Sequence, residues 1–94
     1  MRKIDESTAF RRDYRRERRG RRRTTLDADL SAALSMLATD AALAERMRDH
    51  ALSGDWAGYR ECHIRPDLLL IYRKVGDDVL RLARLGSHSE LFGR

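Results

Sequence analysis

Pro66 constrains what this chain can fold into more than any other residue. It lies within GYRECHIRPDLLLIYR, residues 58 to 73, between His63 and Asp67 and just ahead of the apolar run Leu68 to Tyr72. On a helix, His63 and Asp67 would share a face at i, i+4. Proline lacks the N–H that the helical ladder needs and biases Arg65 away from helical geometry. The stretch therefore reads as a strand, a tight turn and a second strand. Such a hairpin sets an imidazole and a carboxylate at one end of a sheet.

The rest of the chain falls into place around this hairpin. Tyr59 to Ile64, Asp67 to Val75 and Val79 to Leu85 read as three strands, punctuated by Pro66 and by Gly76-Asp77-Asp78. The short connections make them antiparallel neighbours. Upstream the period is helical. Leu26, Leu30, Ala33, Leu34, Leu37 and Ala38 fall on one face of a helix beginning near Thr25 or Asp27. Before it, Ser7 or Thr8 caps a helix that carries Phe10 and Tyr14 at i, i+4 among arginines and ends near Gly20. Residues 2–6 read as a short edge strand. Residues 40–51 favour one or two further helical turns by composition, with Asp40 as a cap, and LSGDWAG is a loop. Ser87 and Glu90 have the spacing of a capping box, so one helical turn follows the last strand. The expected architecture is a single α+β domain over residues 1–94, with an N-terminal helical hairpin packed on one face of a small, mainly antiparallel sheet.

Charge is unevenly spread. Residues 1–23 hold eleven Lys/Arg against four Asp/Glu, a local balance of +7, while the remaining residues balance to −2. Eighteen of the twenty cations are arginine, the side chain that grips phosphate in a bidentate way. A polyanion partner, nucleic acid in particular, is the reading this supports; a solvated helix face is the plainer one. Acids at positions 5, 6, 13 and 17 argue against an organellar targeting segment. No apolar run approaches the ~20 residues of a membrane span, and the N-terminus lacks the apolar stretch of a secretory signal. With Cys62 as its only cysteine, the chain reads as a protein of a reducing cytoplasm.

The side chains fit for proton transfer are His50, His63 and His88, all beside loops or strand ends, with Asp67 near His63. Imidazole titrates near pH ~6.5, which suits general acid–base work at neutral pH. Cys62 and His63 are strand neighbours and point to opposite faces, and no Cys-x-x-Cys or His-x-x-x-His spacing is present, so no metal site is expected. Cys62 reads as a core thiol beside Ile64. Trp56, Tyr59 and Phe92 are aromatics that can stack on bases or pack locally; Trp56 reads as local core, and Phe92 as either anchor or exposed ring.

Several fixed elements recur in order along residues 49–93: Asp49-His50, Gly54-x-Trp56-x-Gly58-Tyr59-Arg60, His63-x-x-Pro66-Asp67, and Arg84-x-Gly86-x-His88-x-x-Leu91-Phe92-Gly93. Together they resemble the YafQ-type toxins of the RelE/ParE superfamily, the toxin halves of bacterial type II toxin–antitoxin pairs. Residues 1–48 agree with that family in layout rather than in sequence. The resemblance implies a RelE-like fold and an endoribonuclease that enters the ribosomal A site and cuts the mRNA being translated, in the bacterial cytoplasm.

It also implies roles. The family's histidines fall on His50, His63 and His88, its acid on Asp67, its C-terminal aromatic on Phe92 and its phosphate-clamping arginine on Arg84. An RNA 2′-hydroxyl loses a proton as it attacks the adjacent phosphate, and the 5′-oxygen gains one as it leaves. Asp67 or His63 would act as base, His88 or His50 as acid, and Arg84 would stabilise the phosphorane; no metal or other cofactor is required. Arg11, Arg12, Arg15, Arg16, Arg19 and Arg22 would contact ribosomal RNA. A cognate antitoxin would wrap and block the toxin, and no membrane partner is expected. Two positions depart from the family pattern. Leu68 stands where a Trp commonly follows the motif aspartate, which leaves codon preference outside the resemblance, and Ala51 stands where a proline follows Asp-His.

Two other classes remain open on sequence grounds. One is a non-nuclease poison of DNA gyrase on the same fold, which has no need of the His/Asp set. The other is a plain RNA- or DNA-binding module, which leaves the histidines unexplained.

Overall fold

The computed structural model describes residues 1–93. The elements run β1 (Lys3–Glu6), α1 (Thr8–Arg18), α2 (Leu26–Ala38), β2 (His50–Ala51), β3 (Arg60–Arg65), β4 (Leu68–Val75), β5 (Val79–Gly86) and α3 (His88–Phe92). The five strands form one sheet in the order β1-β5-β4-β3-β2. Strands β2 to β5 pair antiparallel, and β1 pairs parallel with β5. The α+β architecture expected from the sequence is the one observed.

Local chemistry explains where the helices start and stop. The Ser7 hydroxyl accepts the Phe10 N–H at 2.9 Å, capping α1, and donates to the Ala83 carbonyl at 2.8 Å, tying the cap to β5. Along α2, Leu26, Leu30, Ala33, Leu37 and Ala38 are buried, and Leu34 packs against their cluster from a half-buried position. Both helices lie against one face of the sheet. There Phe10 and the α2 stripe meet Cys62, Ile64, Leu68, Leu70, Tyr72, Leu80, Leu82 and Leu85. The helices are joined at the rim by the Tyr14 hydroxyl, which donates to the Asp27 carboxylate. Truncating any of these fully buried leucines to alanine costs about 2–5 kcal/mol. Cys62 sits in this core as expected; burial, then the nearby carboxylates of Asp49 and Glu61, push its thiol up to about 12.

Pro66 and Asp67 form the two-residue turn between β3 and β4. A register shift between His63 and Arg65 marks a bulge just before it. Alternation along β3 places Cys62 and Ile64 in the helix-side core, so Glu61 and His63 face the other way. That opposite face has a smaller core of Leu69, Ile71, Ala83 and Leu91, flanked by Leu52, Trp56, Tyr59 and Phe92. Trp56 and Tyr59 contact edge to face there, with ring centroids 5.2 Å apart. Leu91 comes from α3, whose Ser87 cap and Glu90 make the reciprocal capping box that their spacing announces.

Residues 40–51 differ from expectation. Asp40 takes a positive φ of 58° and caps nothing; its carboxylate instead binds Arg2 at 2.9 Å and Lys74 at 2.7 Å. Helical structure there is a single 3₁₀ turn, Glu45–Met47, which lets Leu43 and Met47 pack against the helix-side core. Beyond it, His50–Ala51 leaves the helical path altogether to pair with Arg60 and Glu61 as the sheet's far edge.

Candidate active site

The three histidines converge on the face of the sheet away from α1 and α2, at the end marked by Pro66. His63 projects from β3, His50 from the edge strand β2, and His88 from the first turn of α3. The His63 and His88 rings lie 5.8 Å apart at an interplanar angle of 62°. Phe92, one turn along α3, holds its ring 6.0 Å from that of His88. The sequence motif therefore marks one place in space.

Each of the central imidazoles has a carboxylate behind it. Glu61 is buried, and its Oε1 lies 3.5 Å from His63 Nε2 and 3.6 Å from His50 Nε2. His50 is oriented from its other side, where Nδ1 meets the Arg48 carbonyl at 2.5 Å. A carbonyl only accepts, so Nδ1 carries the proton and Nε2 faces Glu61. Asp67 is half-exposed and serves His88 rather than His63. Its Oδ1 accepts the His88 backbone N–H at 3.4 Å and lies 3.8 Å from His88 Nδ1. The hairpin does bring Asp67 to the site, yet the acid beside His63 is Glu61. Sequence reasoning missed Glu61, although its position two residues before His63 on a strand is the signal that puts both on one face.

Arg84 is placed differently from its expected role as a phosphate clamp. Its guanidinium is paired with Asp13 of α1, Nε to Oδ2 at 2.7 Å and Nη2 to Oδ1 at 3.2 Å. The Asp13 side chain is 1% exposed and that of Arg84 24%, so a buried carboxylate is paired with a cation at the edge of the interior. Asp13 also accepts the Leu85 N–H at 3.0 Å and binds Arg16 Nη1 at 2.9 Å. Burial by itself lifts the Asp13 carboxyl, but the Arg84 and Leu85 hydrogen bonds and the charges of Arg84 and Arg16 outweigh it and hold it below its ordinary value. Arg16 extends the network by donating to the Leu85 carbonyl at 2.8 Å and pairing with Glu90 of α3 at 3.0 Å. β1 ends at Glu6, and past that point these side chains occupy the free edge of β5. Asp13 was legible only as one acid among arginines, sharing a helical face with Phe10 and Tyr14.

The remaining arginines expected to contact RNA divide. Arg11 lies 3.8 Å from the Glu6 carboxylate, whereas Arg12, Arg15, Arg19 and Arg22 carry no ion pair among the described residues. Arg16 is internal to the network just described. A cleft of about 340 Å³ lined by Gly20, Arg21, Arg22, Asp67, Ser87 and Glu90 brings the end of the basic segment beside the site. Leu68 is buried in the helix-side core, so the residue after the motif aspartate does not reach the histidine face.

Glu61, His63 and His88 could together hold a metal ion, their ligand atoms all lying within 4.8 Å of one another. Among the described residues, no helix is long and apolar enough to cross a membrane.

A small α+β domain carrying a histidine–carboxylate cluster opposite its helices defines the class to which this chain is similar, that of compact bacterial toxins. The family described as "Bacterial toxin of type II toxin-antitoxin system, YafQ" matches residues 2–93, and the chain belongs to that family. The mRNA interferase toxin YafQ of Escherichia coli K12 is 52% identical over 46 residues, 49% of this chain and 49% of that protein. The matched stretch thus spans about half the length of the curated relatives. In the E. coli DinJ–YafQ complex, the similar chain has a TM-score of 0.79 and 33% identity, covering 99% of this chain and 100% of that one. A metal-bound toxin from Helicobacter pylori has a TM-score of 0.80 and 39% identity, covering 98% of this chain and 100% of that one.

Proposed function

We propose that this protein is an endoribonuclease toxin that cuts mRNA in the ribosomal A site and is held inactive by a cognate antitoxin. The observation that carries the reading is the pairing of His63 with Glu61 and of His88 with Asp67 across a gap of 5.8 Å between rings. A gyrase poison or a passive binding module has no use for two carboxylate-backed imidazoles facing each other.

In this reading His63 is the base. It takes the proton of a 2′-hydroxyl as that oxygen attacks the neighbouring phosphorus, and the buried Glu61 carboxylate stabilises the imidazolium that results. His88 is the acid. It gives a proton to the departing 5′-oxygen, leaving a 2′,3′-cyclic phosphate and a 5′-hydroxyl. Each such transfer contributes about 10²–10⁴ in rate. His50 lies beside Glu61, Asp67 holds the first turn of α3, and Phe92 offers a ring on which a base can stack. Arg84 acts here through Asp13, fixing the end of β5 and, with Arg16 and Glu90, the seat of α3. The reaction is metal-independent, since its protons move on side chains. The similarity to a chain crystallised with DinJ supports the antitoxin partnership.

The free arginines of α1 and the loop after it supply the ribosomal contact. Adding purified protein to a translation reaction and to the same mRNA without ribosomes tests the whole reading. Cleavage in the first alone is the expected result. Intact mRNA, with gyrase-cleaved DNA accumulating in a parallel supercoiling assay, would sink it.

A further inference from the structure

We propose that Arg46 and Arg48 form an RNA-phosphate subsite on the histidine cleft and supply the positive charge that holds the strand being cut. The inference rests on the endoribonuclease reading and names the cation which that reading lacks once Arg84 is bound to Asp13.

Three observations carry it. First, a cleft of about 310 Å³ is lined by Arg46, Arg48, His63, Pro66 and His88. A second of about 420 Å³ shares Arg46, His63 and Pro66 with it, so the two are continuous around His63. The space in front of the proposed base and acid is thus walled on one side by two guanidinium groups.

Second, these two cations are unengaged. Arg2, Arg16, Arg60, Arg65, Lys74, Arg81 and Arg84 are all paired with carboxylates, and Arg73 lies over the Tyr59 ring. Among the described residues beyond the N-terminal basic segment, only Arg46 and Arg48 have neither an ion pair nor a ring partner. Both are exposed. Free guanidinium groups beside a cleft are ready for bidentate binding of phosphate oxygens.

Third, the backbone holds Arg48 at a conformational cost. It sits in the left-handed region at φ 49°, ψ 43°, where glycine or asparagine is easier to accommodate than arginine. Its carbonyl is the group that orients His50. The same residue therefore sets an imidazole with its main chain and offers a cation to the cleft with its side chain. Arg21 and Arg22 line a separate cleft on the far side of Asp67, where Glu17 and Glu90 balance them, so the cationic wall of the reacting centre is the one that Arg46 and Arg48 make.

The test compares wild type with the double variant Arg46→Gln/Arg48→Gln. Binding of a single-stranded RNA carrying a 2′-deoxy nucleotide at the mapped cut site is followed by fluorescence anisotropy across a salt series. Cleavage is followed in the translation reaction. The expected result is about 10–100-fold weaker binding, with the log–log salt slope shallower by about 1.4, or ~0.7 for each phosphate no longer neutralised. KM should rise while kcat stays near wild type, and Arg46→Lys/Arg48→Lys should restore most of the binding. A Lys3→Gln/Arg81→Gln variant, losing the same charge elsewhere, should leave both constants unchanged. Unaltered slope and KM in a wild-type-stable glutamine variant, with wild type cleaving normally, would overturn this inference alone. Absence of cleavage by wild type would overturn the endoribonuclease reading and this subsite with it.

Discussion

Glu61 Oε1 lies 3.5 Å from His63 Nε2 on a carboxylate whose side chain is only 4% exposed. A buried carboxylate is costly unless its charge is used, and here it faces two imidazoles, those of His63 and His50. Glu61→Gln keeps the shape and removes the charge. Cleavage should fall by about 10²-fold or more, the scale of a lost acid–base contribution, through kcat rather than KM. Single-turnover rates in the translation reaction measure this. A variant cleaving at the wild-type rate would remove Glu61 from the mechanism.

Asp13 governs stability rather than chemistry. Asp13→Asn leaves Arg84 without its buried partner and should cost about 2–3 kcal/mol, reduced from the fully buried case because the arginines keep some access to water. The pH dependence has a definite sign. The carboxyl is held below its ordinary value of 3.8 in the folded protein, so its contribution is present above that pH and is lost as pH falls toward the folded value. Urea titrations at a series of pH values should show wild type and Asp13→Asn converging below about pH 4. Parallel curves across the whole range would contradict the assignment.

The arginines of the N-terminal segment separate into two kinds. Charge reversal at Arg12, Arg15, Arg19 and Arg22 should weaken ribosome binding steeply and flatten its salt dependence while leaving the melting temperature in place. Arg16→Glu should do the opposite and lower stability, because Arg16 holds Asp13, the Leu85 carbonyl and Glu90 together. Co-sedimentation with ribosomes and thermal melts distinguish the two. Unchanged ribosome binding in the fourfold variant would show that this surface serves something else.

Metal should inhibit rather than support the reaction. Chelation with EDTA is expected to leave cleavage at its full rate once magnesium for the ribosomes is restored. Micromolar copper or zinc should slow it, since an ion on Glu61, His63 and His88 occupies the nitrogens needed for proton transfer. Activity that depends on added transition metal would replace acid–base catalysis with a metal mechanism.

How much of this was legible in the sequence follows from how local each determinant is. Pro66 and its hairpin, the α2 stripe and the Ser87–Glu90 capping box are written within a few residues of one another, and all are present. Asp13 and Arg84 are 71 residues apart, so nothing near either announces their union. Glu61 is legible by strand alternation, two residues before His63 on β3, although Asp67 is the acid that stands in the motif. In residues 40–51 good helix formers lost to tertiary demands, namely the ion pairs of Asp40 and the pairing of His50 with Glu61 across the sheet edge.

Primer extension on mRNA from a defined translation reaction tests the central claim most directly, with wild type, His63→Ala and His88→Ala run side by side. The account predicts new 5′ ends within codons for wild type, reduced at least about 10²-fold in each variant while both remain folded. Equal cleavage by wild type and either histidine variant would contradict it.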